Sequence, residues 1–340
     1  MFVNWNDVLE LASKLTVKRI INALRITISY IYARYTKKAI VLGLPISISV
    51  EPTTACNLKC PECPSGLRSF SRPTGKITLA LFEKIVRDVS DYTSYLTFYF
   101  QGEPYLHPQF LDMVKIASER NMYTATSTNA HFLHEKACME TIKSGLSRLI
   151  ISIDGTTQET YSSYRKEGSL EKVIAGTKEI IHWKKKMNSS TPAIVWQFLV
   201  VRPNQHQIQE VQQLAKEIGV EKVALKTAQV YDYAEGNDLI PTIDKYARYK
   251  KMVDGTYSIK NKLLDQCWKM WSSCVITWDG KIVPCCFDKD AHHVVGDLNQ
   301  QSFAQSWKSE PYQQFRQTLL QGRDQIEMCK NCSEGTKIWA

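Results

Sequence analysis

Six consecutive strand-then-helix units, running from Pro45 to about Thr227, constrain this chain more than any other feature. Short β-branched runs at Pro45–Val50, Tyr95–Phe100, Tyr123–Ser127, Arg148–Ile153, Ile194–Val201 and Lys222–Lys226 read as strands. Between them lie helical stretches at Thr78–Ser90, Pro108–Arg120, His131–Ser144, within 157–187, and at Gln205–Ile218. Thr78 is placed to cap the first, and Leu81, Phe82, Ile85 and Val89 form its apolar stripe. Repeated βα units give a parallel sheet with right-handed crossovers. Six units fall short of the eight that close a barrel. The expected α/β fold is a partial (β/α)6 TIM-like barrel over residues 45–230.

The pattern changes after the sixth strand. Residues 231–261 read as a polar, Tyr-rich linker with some helix. Val275–Trp278 and Lys281–Pro284 flank Asp279-Gly280, the signature of a hairpin, and Ser302–Gln321 reads as helical. A second, smaller domain is expected at 262–340. Residues 1–44 form an extension of their own. Val17, Ile20, Ile21, Leu24, Ile28, Ile31, Tyr32 and Tyr35 recur at helical spacing, and no acid occurs between Leu11 and Pro45. This basic amphipathic helix has two readings. It packs on the barrel with its charged face in water, or residues 11–38 meet an anionic membrane surface or an acidic partner.

The net charge of +9 is mild for 340 residues and does not imply nucleic acid. No uncharged apolar run approaches the ~20 residues of a membrane span, and charges interrupt the N-terminal region where a secretory signal would lie. The chain is therefore expected in the cytoplasm, with peripheral contact at the inner face of the membrane as the sharper reading of its basic helix. In a reducing compartment cysteines rarely form disulfides. Nine of the ten fall in two clusters, 56–63 and 267–332, which reads as metal ligation. Cys56, Cys60 and Cys63 follow the first strand at C-x3-C-x2-C spacing, at the end of the barrel where α/β barrels build active sites. Three thiolates so close can grip three corners of a [4Fe–4S] cube, leaving one iron open for a ligand. A zinc site joining Cys60 and Cys63 to Cys329 and Cys332 is the competing assignment.

C-x3-C-x2-C with Asn57-Leu58 inside, placed after a first strand, resembles the radical S-adenosylmethionine (SAM) enzymes. The resemblance implies that SAM chelates the open iron. A reduced cluster then cleaves it to methionine and a 5′-deoxyadenosyl radical that abstracts hydrogen from substrate. Gln101-Gly102-Glu103-Pro104, after the second strand, resembles the family's GGEP motif, which binds the SAM amino group; Gln101 replaces the first glycine. Asn129 ends the third strand. Ser152 and Asp154 end the fourth and resemble a segment lining the SAM ribose and carboxylate. Arg165 resembles a basic residue that pairs with that carboxylate.

The C-terminal cysteines resemble the SPASM/twitch extension of radical SAM barrels, which carries auxiliary iron–sulfur clusters. Only one C-x2-C, Cys329–Cys332, survives of the longer two-cluster pattern, so one auxiliary [4Fe–4S] cluster is expected. Its implied ligands are Cys267, Cys285, Cys329 and Cys332, with Cys274 an alternative to Cys267 and Cys286 to Cys285. A structural zinc ribbon is the competing reading. Cys138 reads as a buried small hydrophobe. Trp268, Trp271, Trp278, Trp307 and Trp339 read as core packing or as an apolar cover for the cluster.

An auxiliary cluster with four cysteine ligands has no open iron, which favours an electron-acceptor role and a net oxidation or cross-link. Peptide or protein maturation, including the sulfatase-maturating type, and small-molecule dehydrogenation are the family outcomes considered. A non-catalytic metal-binding scaffold is the rival from another class, but a scaffold needs neither a vacant cluster corner nor the Gln-Gly-Glu-Pro turn. The electron donor implied is a ferredoxin or flavodoxin. Tyr231, Asp232, Tyr233 and Glu235 follow the sixth strand, where they contact substrate or merely form the linker.

Overall fold

The computed structural model describes residues 5–335, so Trp339 lies outside the described residues. Two helices come first, α1 (Trp5–Ser13) and α2 (Val17–Thr36). The barrel then runs β1 (Ser47–Val50), α3 (Pro64–Leu67), α4 (Leu79–Val89), β2 (Tyr95–Thr97), α5 (Phe110–Glu119), β3 (Tyr123–Thr128) and α6 (Glu135–Lys143). It continues through β4 (Arg148–Ser152), α7 (Gln158–Tyr164), α8 (Leu170–Lys186), β5 (Ala193–Val200), α9 (Ile208–Ile218) and β6 (Lys222–Thr227). β1 to β6 pair in chain order and all in parallel, as βα repetition requires. β5 is buried along almost its whole length, because helices cover one face of a parallel sheet and the barrel interior fills the other. Thr78 caps α4 by accepting from Leu81 N at 3.3 Å. Gly219, at φ +89°, supplies the left-handed residue that ends α9.

The 231–261 segment holds one 3-10 turn, Asp244–Tyr246, followed by a short hairpin, β7 (Tyr249–Lys251) with β8 (Tyr257–Ile259). The C-terminal part comprises α10 (Lys269–Ser272), β9 (Ser273–Ile276), β10 (Lys281–Val283), β11 (Gly296–Asp297), α11 (Phe303–Trp307), α12 (Glu310–Gln321) and α13 (Glu327–Lys330). The β9–β10 hairpin turns at Asp279-Gly280, with Gly280 at φ +84°. The helix expected over 302–321 is two, because Ser309 caps a new start and Pro311 cannot donate to the preceding turn. β9 pairs in parallel with β1, placing Cys274 beside Ile48. The sheet is thus continuous over nine strands, β11-β10-β9-β1-β2-β3-β4-β5-β6. The open barrel leaves one edge of β1 unpaired, and β9 satisfies its backbone groups.

α1 and α2 underlie the barrel at the N-terminal ends of the strands. Arg19 donates to the Ser90 carbonyl at 2.6 Å and the Arg120 carbonyl at 3.1 Å, just before β2 and β3. Asn22 and Leu44 exchange hydrogen bonds at 2.8 and 2.9 Å. The face of α2 turned to the protein carries Arg19, Asn22, Ile26, Ser29, Tyr30 and Ala33. The apolar stripe legible in the sequence points outward, the reverse of what packing on the barrel would need. The inward face is mixed: Arg19 and Asn22 supply donors that uncapped carbonyls at the barrel floor need, and Ile26, Tyr30 and Ala33 join the core.

Candidate active site

The loop after β1 carries Cys56, Cys60 and Cys63 to the C-terminal end of the sheet, where they line one cavity of about 200 Å3. Gln101, Gly102, Glu103, Asn129, Ser152 and Arg165 line the same cavity, although they come from three further βα connections, after β2, β3 and β4. Gly102 is at φ +76°, and a Cβ there would stand 2.1 Å from the Thr53 carbonyl oxygen, so only glycine fits. Its N–H donates to Ser65 Oγ at 2.9 Å. Pro104 starts the next turn and is buried, holding the turn rather than lining the cavity.

Glu103 is the most constrained of these side chains. Its Oε1 accepts from Thr128 Oγ1 at 2.7 Å and Tyr105 N at 3.3 Å, and its Oε2 accepts from Asn129 N at 2.8 Å. Burial pushes its carboxyl up to about 7, against these hydrogen bonds, which favour ionisation. The Asn129 side chain donates to Asn57 Oδ1 at 2.7 Å and so ties the cysteine loop to β3. Asp154 is fully buried and does not line the cavity; it accepts from Arg165 Nε at 2.5 Å and Leu199 N at 2.7 Å. Held this way, the Arg165 guanidinium reaches Cys60 Sγ at 3.7 Å.

Two groups outside the sequence expectations position the loop. Arg72 makes a two-pronged ion pair with Glu51, at 2.8 and 2.6 Å, and Trp278 N donates to the same carboxylate at 3.2 Å. The cysteine loop is thereby pinned to the β9–β10 hairpin. Lys289 Nζ donates to the Glu62 carbonyl at 3.3 Å and lies 4.6 Å from the centre of the Tyr231 ring. Tyr231, Tyr233, Phe287, Lys289 and Asn331 line a second cavity of about 570 Å3 that also reaches Pro64. Asp232 and Glu235 are not among its walls. No spacing marks Arg72 or Lys289, because each works through a partner far away in the chain.

Cys267, Cys285, Cys329 and Cys332 are all buried. Cys267 has Cys332, Cys329 and Cys285 as electrostatic neighbours. Cys274 is buried on β9, and its charged neighbour is Arg316 rather than another cysteine. Cys286 is exposed as a residue, but its thiol hydrogen-bonds that of Cys285, with Lys269 as a charged neighbour. Trp268, Trp271 and Trp307 are buried in the core, and Trp271 and Trp307 donate to the carbonyls of Ile40 and Gly43 at 2.9 Å each. Cys138 is fully buried in α6, as expected.

A family model for the radical SAM superfamily matches residues 50–215, and one for the SPASM iron–sulfur cluster-binding domain matches residues 267–333. The chain is a radical SAM enzyme with a SPASM domain. It is 26% identical over 322 residues to the tungsten-containing aldehyde ferredoxin oxidoreductase cofactor-modifying protein of Pyrococcus furiosus, covering 84% of this chain and 86% of the relative. It is 24% identical over 317 residues to the PqqA peptide cyclase of Bradyrhizobium diazoefficiens, covering 85% and 79%. Its fold is similar to that of Streptococcus suis SuiB, solved bound to the precursor peptide SuiA, with a TM-score of 0.61 at 14% identity over 89% of this chain and 74% of that one.

The cofactors of such an enzyme are SAM, a [4Fe–4S] cluster and auxiliary iron–sulfur chemistry in the SPASM domain, and this chain's donor sets fit them. Among the described residues no three His, Cys, Asp or Glu side chains converge closely enough to hold a single metal ion. A lone zinc needs its ligand atoms about 2.0–2.3 Å from one point. Cysteines spread around a cavity suit the corners of a cube better. Burial pushes the Cys56 thiol up to about 11, so it ionises when positive charge, such as iron, is brought to it. At the second cluster Arg323 is buried, has Cys267, Cys332 and Cys329 as neighbours, and leaves its Nε without a hydrogen-bond partner. A buried guanidinium beside three thiols, its other nitrogens donating to the Gln266 and Glu334 carbonyls and its Nε still free, suits an anionic iron–sulfur cluster. No described helix is long and apolar enough to cross a membrane.

Proposed function

We propose that this radical SAM enzyme abstracts hydrogen from a peptide or small-molecule substrate bound in the 570 Å3 cavity, with a net oxidation or cross-link as the outcome. The observation carrying this reading is the second cysteine group. Cys267, Cys285, Cys329 and Cys332 offer four buried thiols, so a cluster held by all four has no open iron for substrate. Bound at their sites, the clusters and SAM supply the electron transfer and the radical. The chain's own residues orient them. Cys56, Cys60 and Cys63 would hold the first cluster. Glu103 would accept from the SAM amino group, Arg165 would pair with its carboxylate, and Ser152 would meet the ribose. Asn129 and Asp154 act one step back, Asn129 on the cysteine loop and Asp154 on Arg165. Residues 45–230 are assigned to the SAM barrel and 262–340 to the auxiliary unit, joined by 231–261.

A peptide maturase is the form of this reading supported by similarity to the PqqA peptide cyclase and by the fold shared with SuiB, which binds a precursor peptide. The sulfatase-maturating type is one member of that class. The electron donor would be a ferredoxin or flavodoxin. The test is anaerobic reconstitution with dithionite, SAM and candidate peptides. Formation of 5′-deoxyadenosine that Cys63→Ala abolishes, with a substrate product lighter by two hydrogens, supports the reading. A product of unchanged mass overturns the oxidation.

A further inference from the structure

Fourteen of the twenty-three large hydrophobic side chains exposed among the described residues fall between Trp5 and Leu42. On α2 they form one stripe. At about 100° per residue, Val17, Ile20, Leu24, Ile28, Tyr32 and Tyr35 fall within an arc of about 120° that points away from the protein. Each is between 44 and 78% exposed. The opposite arc, centred on Ile26, is buried against the barrel floor. Basic side chains border the stripe, Lys18 and Arg25 on one side and Arg34 on the other, and Lys37 and Lys38 follow at its C-terminal end. The acids nearby are already engaged. Glu10 pairs with Lys14 at 2.9 Å, Asp91 pairs with Lys18 at 2.9 Å, and Asp7 is buried against Arg148.

We propose that α1 and α2 form an interfacial anchor that seats this enzyme on an anionic lipid bilayer, with the outward stripe of α2 in the acyl boundary and its basic borders on the headgroups. An apolar arc of this width with cationic edges is the pattern of a helix lying in the plane of a membrane. Trp5, exposed on α1, adds the amphipathic aromatic that favours that depth. A second copy of the chain is the poorer occupant, since two such stripes would bring like-charged borders together, whereas anionic headgroups complement them.

The placement fixes an orientation. Arg19 and Asn22 seat α2 beneath the N-terminal ends of the strands, while the cysteine loop and Glu103 stand at the C-terminal ends. The bilayer lies under the barrel floor and the mouth opens away from it, so substrate arrives from the aqueous side. This anchoring is independent of which reaction the site performs.

The experiment is flotation of the purified full chain with vesicles of phosphatidylcholine alone and with about one-third phosphatidylserine. Wild type should float with the anionic vesicles. Leu24→Glu with Ile28→Glu should lower the bound fraction at least about tenfold, while far-ultraviolet circular dichroism and iron content stay as in wild type, because both side chains are exposed. Arg25→Ala with Arg34→Ala should weaken flotation and its dependence on salt. Wild type that fails to float, or a Leu24→Glu/Ile28→Glu chain that floats equally well, overturns the proposal. So does a wild-type dimer in light scattering that this same variant converts to monomer without any flotation, since the stripe is then a self-association face.

Discussion

The side-chain amide of Gln101 lies 3.5 Å from Cys63 Sγ. As a free thiol Cys63 donates to Oε1; as a thiolate it can only accept, and rotation of the amide presents N–H instead. A hydrogen bond to a cluster sulfur stabilises the more negative, reduced state. Gln101→Gly is therefore expected to lower the midpoint potential of the first cluster by about 30–60 mV. A redox titration followed by electron paramagnetic resonance reads this directly. An unchanged potential would show that the amide does not donate to the sulfur.

Asp154 orients Arg165 from behind. Asp154→Asn keeps an acceptor for Leu199 N but removes the charge that holds the guanidinium. SAM affinity should fall about 5–30-fold, and about 10–100-fold for Arg165→Ala. Equilibrium dialysis with labelled SAM distinguishes the two, and wild-type affinity in both variants would remove Arg165 from the SAM site.

As the proposed acceptor of the SAM amino group, Glu103 is expected to make SAM binding pH-dependent. Its buried carboxyl sits at about 7, above the ordinary carboxylate range, so below neutrality it is protonated in the folded protein. SAM affinity should strengthen as pH rises from 6 to 8, where the acceptor form appears, and Glu103→Gln should flatten that profile. Stability runs the other way. A carboxyl raised by folding is best tolerated below its ordinary pKa. Stability then declines as pH rises from that value toward about 7, and levels off above it.

Removing one half of the buried Glu51–Arg72 pair leaves the other charged and unpaired. Arg72→Ala should destabilise the fold by about 3–5 kcal/mol, measured by urea unfolding of the purified chain. Glu51 is fully buried, and Arg72 and Trp278 N are its donors, so solvent cannot replace them cheaply. A loss under about 1 kcal/mol would mean that water reaches Glu51.

Cysteine substitutions separate ligands from bystanders. Cys267→Ser should lower iron content by about four per chain, the loss of one [4Fe–4S] cluster, whereas Cys274→Ser should leave it unchanged. Iron lost from both variants, or from neither, would contradict the division between the Cys267 group and the lone Cys274.

The sequence by itself determined the six βα units, because the alternation of strand and helix periods is local. It also determined the first site. Cys56, Cys60 and Cys63 lie within eight residues, and Glu103, Asn129 and Ser152 each lie at or shortly after the C-terminal end of a strand, so one chain direction carries them all to one end of the sheet. Only the tertiary structure decided what depends on distant partners. β9 completes the edge of β1 across more than two hundred residues, and no local pattern announces a pairing at that separation. The same holds for Arg72 with Glu51 across the cysteine loop, and for the neighbours of the buried cysteines, Cys267 lying among other thiols and Cys274 beside Arg316. On α2 the sequence marked the apolar face correctly but not its direction. Periodicity defines a stripe, whereas the carbonyls of Ser90 and Arg120, needing the donors of Arg19, turn the mixed face of Arg19, Asn22, Ile26 and Tyr30 inward and the stripe outward.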